Sequence, residues 1–275
     1  MPVISGHLSK MATRVENDSV HYQLCLDEHR LDLNELLGES IQLRYQGAIH
    51  CCHCGRKSNK SFSQGYCYPC FKKLPQCDQC IVSPEKCHFD AGTCRDPQWG
   101  EEFCMQDHFV YLANSSGLKV GITRGNQLPT RWCDQGATQG LPVFRVRNRL
   151  LSGLVETLFK QQLADKTNWR AMLKGDADPV DLVTIRDELY QQFSDELAKL
   201  ELEHGPGAII HLHDQPVQDL KYPVLQYPTK VSSLNFDKTP EVSGVLKGIK
   251  GQYLMLDSGV INLRKFTSYH IDFEY

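Results

Sequence analysis

Apolar and polar residues alternate near both ends of the chain, with the two-residue repeat of half-buried strands. In IQLRYQGAI, Ile41, Leu43 and Tyr45 share one face and Gln42, Arg44 and Gln46 the other, and the whole stretch to about residue 50 reads as strands. Near the C-terminus, GVLKGI, QYLMLD and VINLRKF are short apolar runs separated by Lys-Gly and Asp-Ser-Gly turn signals. The two ends also share short likenesses, SGHLSKM with SGVLKGI and IQLRY with INLRK. These patterns predict one β-rich terminal domain drawn from residues 1–50 and 206–275, with the middle of the chain inserted.

The period changes in that middle part. HFVYLA and LKVGIT are predicted strands joined by a hairpin at Ser-Ser-Gly, and after Gly153 the residues Leu154, Val155, Leu158, Phe159 and Leu163 follow a helical period. Residues 175–205 predict a scaffold helix with Leu182, Ile185, Leu189, Phe193, Leu197 and Leu200 on one face, opened by Asp178-Pro179 and closed by Gly205. The predicted fold class is α+β: a β-rich part from both ends, an inserted zinc-ribbon-like segment over 51–107, and an αβ module over 108–174.

Composition alters this picture at two points. Ten of the 12 cysteines lie between Cys51 and Cys104, where periodic apolar residues are scarce. The start, MPVISGHLSK, has no secretory pattern and no run is long enough to span a membrane, so a cytoplasmic chain with no membrane partner is expected. In that reducing compartment, such cysteine density points to metal rather than disulfides. The formal net charge is only −3, but it is unevenly spread. Lys119 to Lys174 holds ten Lys/Arg against Asp134, Glu156 and Asp165, and Asp176 to Glu203 holds nine acids against Arg186 and Lys199. A basic block beside an acidic one suits a polyanion-facing surface, and equally two blocks that neutralise each other.

Cys51-x2-Cys54 and Cys67-x2-Cys70 are separated by twelve residues. Each pair can sit on a tight turn, and two pairs close a tetrahedron around Zn2+ with no open position, so the site is structural. Cys77-x2-Cys80 begins a second set; Cys77, Cys80, Cys87 and Cys94 are the favoured ligands, with Cys104 or His108 able to replace either of the last two. Cys25, Cys52 and Cys133 read as bystanders. In FRVRNRL, strand alternation would place Arg145, Arg147 and Arg149 on one face, a row suited to nucleic-acid phosphates or to a solvated strand edge.

The order FVY, KVGITR, Arg131 near a short helix and Glu156 in the next helix resembles the GIY-YIG nucleases over about 108–174. More specifically it is similar to the branch in which lysine takes the second tyrosine's place. The chain as a whole resembles a bacterial domain family of unknown function that joins a cysteine-rich segment to such a module. The nuclease resemblance implies that Tyr111 helps activate the attacking water, that Arg131 stabilises charge on the phosphate, and that Glu156 holds Mg2+ or Mn2+. It also implies DNA or RNA as the partner. Lys119 stands where the family has its tyrosine, Phe109 where it has its first glycine, and Arg124 competes with Arg131 for the phosphate.

Overall fold

A computed structural model describes residues 2–163 and 167–275. Asp165 and Lys166, both counted in the basic block, lie outside the described residues. The N-terminal part forms β1 (Val3–His7), β2 (Ala12–Glu16), β3 (Ser19–Leu26), β4 (His29–Asp32) and β5 (Ser40–His50). The cysteine-rich segment holds only β6 (Lys57–Ser58), α1 (Tyr68–Lys73), α2 (Pro97–Phe103) and three single-turn 3-10 helices. The module follows as β7 (His108–Asn114), β8 (Leu118–Arg124), α3 (Thr130–Asp134), β9 (Gln139–Val146), α4 (Arg149–Phe159) and α5 (Trp169–Met172). After α6 (Leu182–Gln192) and α7 (Ser194–His204) come β10 (Ile209–His211), β11 (Gln218–Asp219), β12 (Glu241–Lys250), β13 (Tyr253–Leu256), β14 (Gly259–Asn262) and β15 (Tyr269–Glu274).

Strands from both ends of the chain share one antiparallel sheet, in the order β1-β15-β5-β12-β13-β14, with β6 paired to β5. The alternation in β5 and β15 does what it predicts: Ile41, Leu43, Ile271 and Phe273 are all buried. Paired residues share a face, so Leu43 opposite both Phe273 and Val242 builds one apolar layer. The small sheet β2-β3-β4 supplies Val20, Tyr22 and Leu24 to the same core.

A second sheet runs β10-β9-β7-β8, with β11 also on β9. Its central strand β7 is a seam between two cores. Val110 and Leu112 face the core made with α4, α6 and α7, whereas Tyr111 and Ala113 face the core of the terminal strands. Apolar residues on both faces give a continuous run rather than an alternating one, which is how HFVYLA reads.

Two predicted elements differ. The long scaffold helix is two helices, broken at Phe193 (φ −106°, ψ 19°). That turn lets the Phe193 ring stack on Phe159 at 5.6 Å, so both rings bury together. Its start is capped by Asp181, whose carboxylate accepts from Thr184 N at 3.1 Å, and Gly205 ends it at φ +92°. The other difference concerns the arginine row: β9 ends at Val146, because Asn148 caps α4 by accepting from Leu151 N at 3.0 Å. Arg147 and Arg149 therefore leave the strand, and the three arginines do not share a strand face.

Candidate functional site

The first cysteine set is assembled by local turns. Cys51 directly follows β5, and the Gly55 amide closes the knuckle onto Cys51 O at 2.9 Å with φ +68°. Cys67 caps α1 and Cys70 lies within it, one turn further on. The Sγ atoms of Cys51, Cys54, Cys67 and Cys70 all lie within 4.8 Å of one another, and Cys54 and Cys67 are 3.7 Å apart. Zn–S bonds of about 2.3 Å in a tetrahedron place sulfurs about 3.8 Å apart, so the spacing of the four thiols is compatible with a zinc ion. Burial pushes the Cys51 thiol up, but amides of Cys67, Cys54 and His53 outweigh it and bring the thiol down to about 6. Lowering the thiol favours the thiolate form that binds metal.

The second set differs from the expected one. Cys80, Cys87 and Cys94 line one small cavity together with Cys104, and neither Cys77 nor His108 borders it. Cys77 turns back toward the first set: burial raises its thiol, Ser63 hydrogen-bonds to it, and Cys51 is close enough to repel its charge. The short 3-10 turn Pro75–Cys77 carries it, ahead of the separate turn Gln79–Ile81 that holds Cys80. His108 is buried in β7 with Nδ1 2.7 Å from Gln106 O.

Between the cysteine-rich segment, the module and the terminal strands lies a groove of about 710 Å³. Lys10, Arg124, Arg131, Arg149, Lys160 and Arg264 line it against two carboxylates, Asp134 and Glu156. Six cations around two anions, partly withdrawn from water, create a positive field suited to a polyanion. Lys10 donates to Asp134 at 2.8 Å and Gln252 does so at 2.9 Å, with Arg264 3.7 Å away, so the Asp134 carboxylate is already engaged. Glu156 accepts from Lys160 at 3.1 Å and is 12% exposed.

Tyr111 is buried behind this groove. Its hydroxyl donates to Gln135 Oε1 at 3.2 Å and lies within hydrogen-bonding reach of Arg131, with Glu156 close enough to act on it electrostatically. Gly121, paired with Tyr111 across the hairpin, makes this approach possible: a Cβ there would stand 2.5 Å from the phenolic oxygen. Burial raises the phenol above its ordinary value despite Arg131, so it stays protonated at neutral pH and serves as a hydrogen-bond donor.

The other predicted residues are dispersed. Lys119 is buried beyond the groove lining, its Nζ donating to Thr167 Oγ1 at 2.5 Å. Arg145 is exposed on β9, 3.5 Å from Asp107, and Arg147 donates to His204 O and Pro206 O at 3.0 and 2.9 Å. Arg149 reaches Cys80 O and Ile81 O at 3.4 and 2.5 Å, at the edge of the groove. Arg124 lies 5.0 Å over the Phe103 ring. Lys10 and Arg264 carried no signal in the sequence, since only the pairing of the chain ends brings them here.

The fold and these sites define an α+β protein with a four-cysteine cluster of metal-binding geometry beside a strongly basic groove. Among the described residues, no helix is long and apolar enough to cross a membrane. The chain belongs to the family described as Protein of unknown function (DUF2797), whose model matches residues 38–271. Neither a curated protein nor a solved structure matches the chain.

Proposed function

We propose that the groove binds nucleic-acid phosphate and cleaves a phosphodiester bond in the manner of GIY-YIG nucleases, beside a structural Zn2+ held by Cys51, Cys54, Cys67 and Cys70. The observation that carries this reading is convergence: Arg131 from α3 and Glu156 from α4 line one groove with the basic side chains around them, and Tyr111 from β7 lies buried directly behind. Arg131 places its guanidinium where charge builds on a phosphate. Tyr111, fully buried and donating to Gln135, would hold Gln135 and Arg131 in place behind the attacking water rather than take its proton. Glu156 is the carboxylate that would hold Mg2+ or Mn2+, and one carboxylate with substrate phosphate oxygens and water is a common set for such hard cations. The cation would supply neutralisation of the phosphate's charge. Lys10, Arg124, Arg149 and Arg264 would track the backbone of DNA or RNA. Lys119, held at Thr167 outside the groove, has a supporting rather than a reacting place.

A second reading, binding without cleavage, is favoured by the Lys160 ammonium 3.1 Å from Glu156, which occupies the carboxylate a cation needs. A panel of labelled DNA and RNA, with and without Mg2+ or Mn2+, separates the two. Cleavage that needs the cation and falls at least about 100-fold in Glu156→Gln supports the nuclease. Salt-sensitive binding with no product supports the reader, and neither binding nor cleavage discards both.

A further inference from the structure

Outside the first cluster, four more thiols line one small cavity, spaced more widely than the first four. Cys80, Cys87, Cys94 and Cys104 border a cavity of about 10 Å³, room for one water-sized body. Each is delivered by a defined piece of backbone. Cys80 sits in the 3-10 turn Gln79–Ile81, capped by Asp78, and Cys87 closes the turn Pro84–Lys86 with its amide on Pro84 O at 3.0 Å. Cys104 ends α2, its amide on Gly100 O at 2.7 Å. Gly100 lets the Cys94 loop close on that helix, because a Cβ there would lie 2.8 Å from the Phe89 ring and 3.4 Å from Cys94 Sγ. Asp78 and His88 also lie within 4.8 Å of Cys80 and are the competing ligands; Asp78 is engaged by Arg95 at 2.7 Å, and His88 keeps Nε2 toward Asp78 while Nδ1 lies 2.8 Å from Thr93 Oγ1. None of the four cysteines is in a disulfide.

We infer that Cys80, Cys87, Cys94 and Cys104 form a second, closed tetrathiolate zinc site. Four thiols on one small cavity are a soft donor set, for which zinc, drawing them together into a tetrahedron, is the fitting ion. The site also frames one wall of the groove. Cys80 O and the adjacent Ile81 O receive the Arg149 guanidinium, and Cys104 O accepts the Arg149 amide at 2.8 Å. The inference stands apart from what the groove acts on.

Metal analysis of the full chain, purified under reducing conditions and reconstituted with zinc, tests it. Two zinc ions per chain are expected in the wild type and in Cys77→Ser and His88→Ala, and one in Cys94→Ser and Cys104→Ser. One zinc in the wild type, iron in its place, or a loss in Cys77→Ser or His88→Ala that Cys104→Ser does not share overturns the assignment. Titration of the wild-type chain with Co2+ guards against variants that do not fold. Thiolate-to-cobalt absorbance should keep rising to two equivalents, and saturation at one overturns the second site.

Discussion

At the scale of single residues, His108 links a hydrogen bond to pH. Gln106 O can only accept, so Nδ1 carries the proton, and Nε2 is buried with no hydrogen-bond partner among the described residues. Burial lowers this imidazole from 6.5 to about 4. Between those values the unfolded chain takes up a proton that the folded chain refuses. Stability therefore falls as pH falls through this window, by about 2 kcal/mol between pH 7 and pH 5. Urea midpoints at both pH values for wild type and His108→Gln isolate the term, since thiolate protonation acts on both proteins alike; equal slopes would remove it. Gly121→Ala should destabilise by about 1–3 kcal/mol, because the new methyl meets the Tyr111 ring, and should lower any groove activity with it. The family resemblance named Tyr111, Arg131 and Glu156 together, and the structure brings Arg131 and Glu156 to one groove with Tyr111 behind it. Gly121 was legible as part of a motif, but its reason, the phenol pressed against its Cα, appears only once the hairpin register is known. Cys77 was misplaced because C-x2-C spacing states that two thiols share a turn, not that both face one ion.

At the scale of elements, the contact between the turn Pro84–Lys86 and α4 sets the height of one groove wall. A Cβ at Gly153 would stand 2.5 Å from Glu85 N and 2.7 Å from Pro84 Cβ. Alanine in a helix interior normally gains up to about 1 kcal/mol over glycine, but here it must displace backbone, and overpacking costs about 1–3 kcal/mol. Gly153→Ala is expected to lose stability by urea denaturation and to shift Arg149 and Glu156, both on α4; a gain in midpoint would show that the turn yields. The same helix explains why the arginine row failed. FRVRNRL alternates well, but Asn148 followed by Leu151 and Val155 is also an N-cap before a helical stripe, and the capping bond ends the strand. The helix break at Phe193 had no such local sign. It follows from a ring on another helix, Phe159, which periodicity cannot reveal.

At the scale of the whole molecule, the groove's charge is pooled from distant parts of the chain. Lys10 and Arg264 stand on the terminal sheet's side and Arg124 and Arg131 on the module's. If they contact phosphates, Lys10→Gln and Arg264→Gln should each lower the slope of log K against log salt by about 1 and weaken binding to all sequences alike; an unchanged slope in an oligonucleotide titration would remove these residues from the interface. Stripping zinc with a strong chelator should loosen Ser63, Gln64 and Tyr66, which line the groove between the paired cysteines, and hydrogen exchange over 51–104 should rise before that of β7. The alternating strands at both ends foretold one shared sheet, yet not its order. β15 lies between β1 and β5, although roughly 220 residues separate it from β5 in the chain. On the ribosome, β5 therefore waits for its neighbour for about 10–45 s at ordinary elongation rates. The whole cysteine-rich segment and the β7–β8 hairpin emerge in that interval. Synthesis thus delivers the cysteine-rich loops first and the sheet that anchors them last, leaving the edges of β1 and β5 open in the nascent chain until β15 is made.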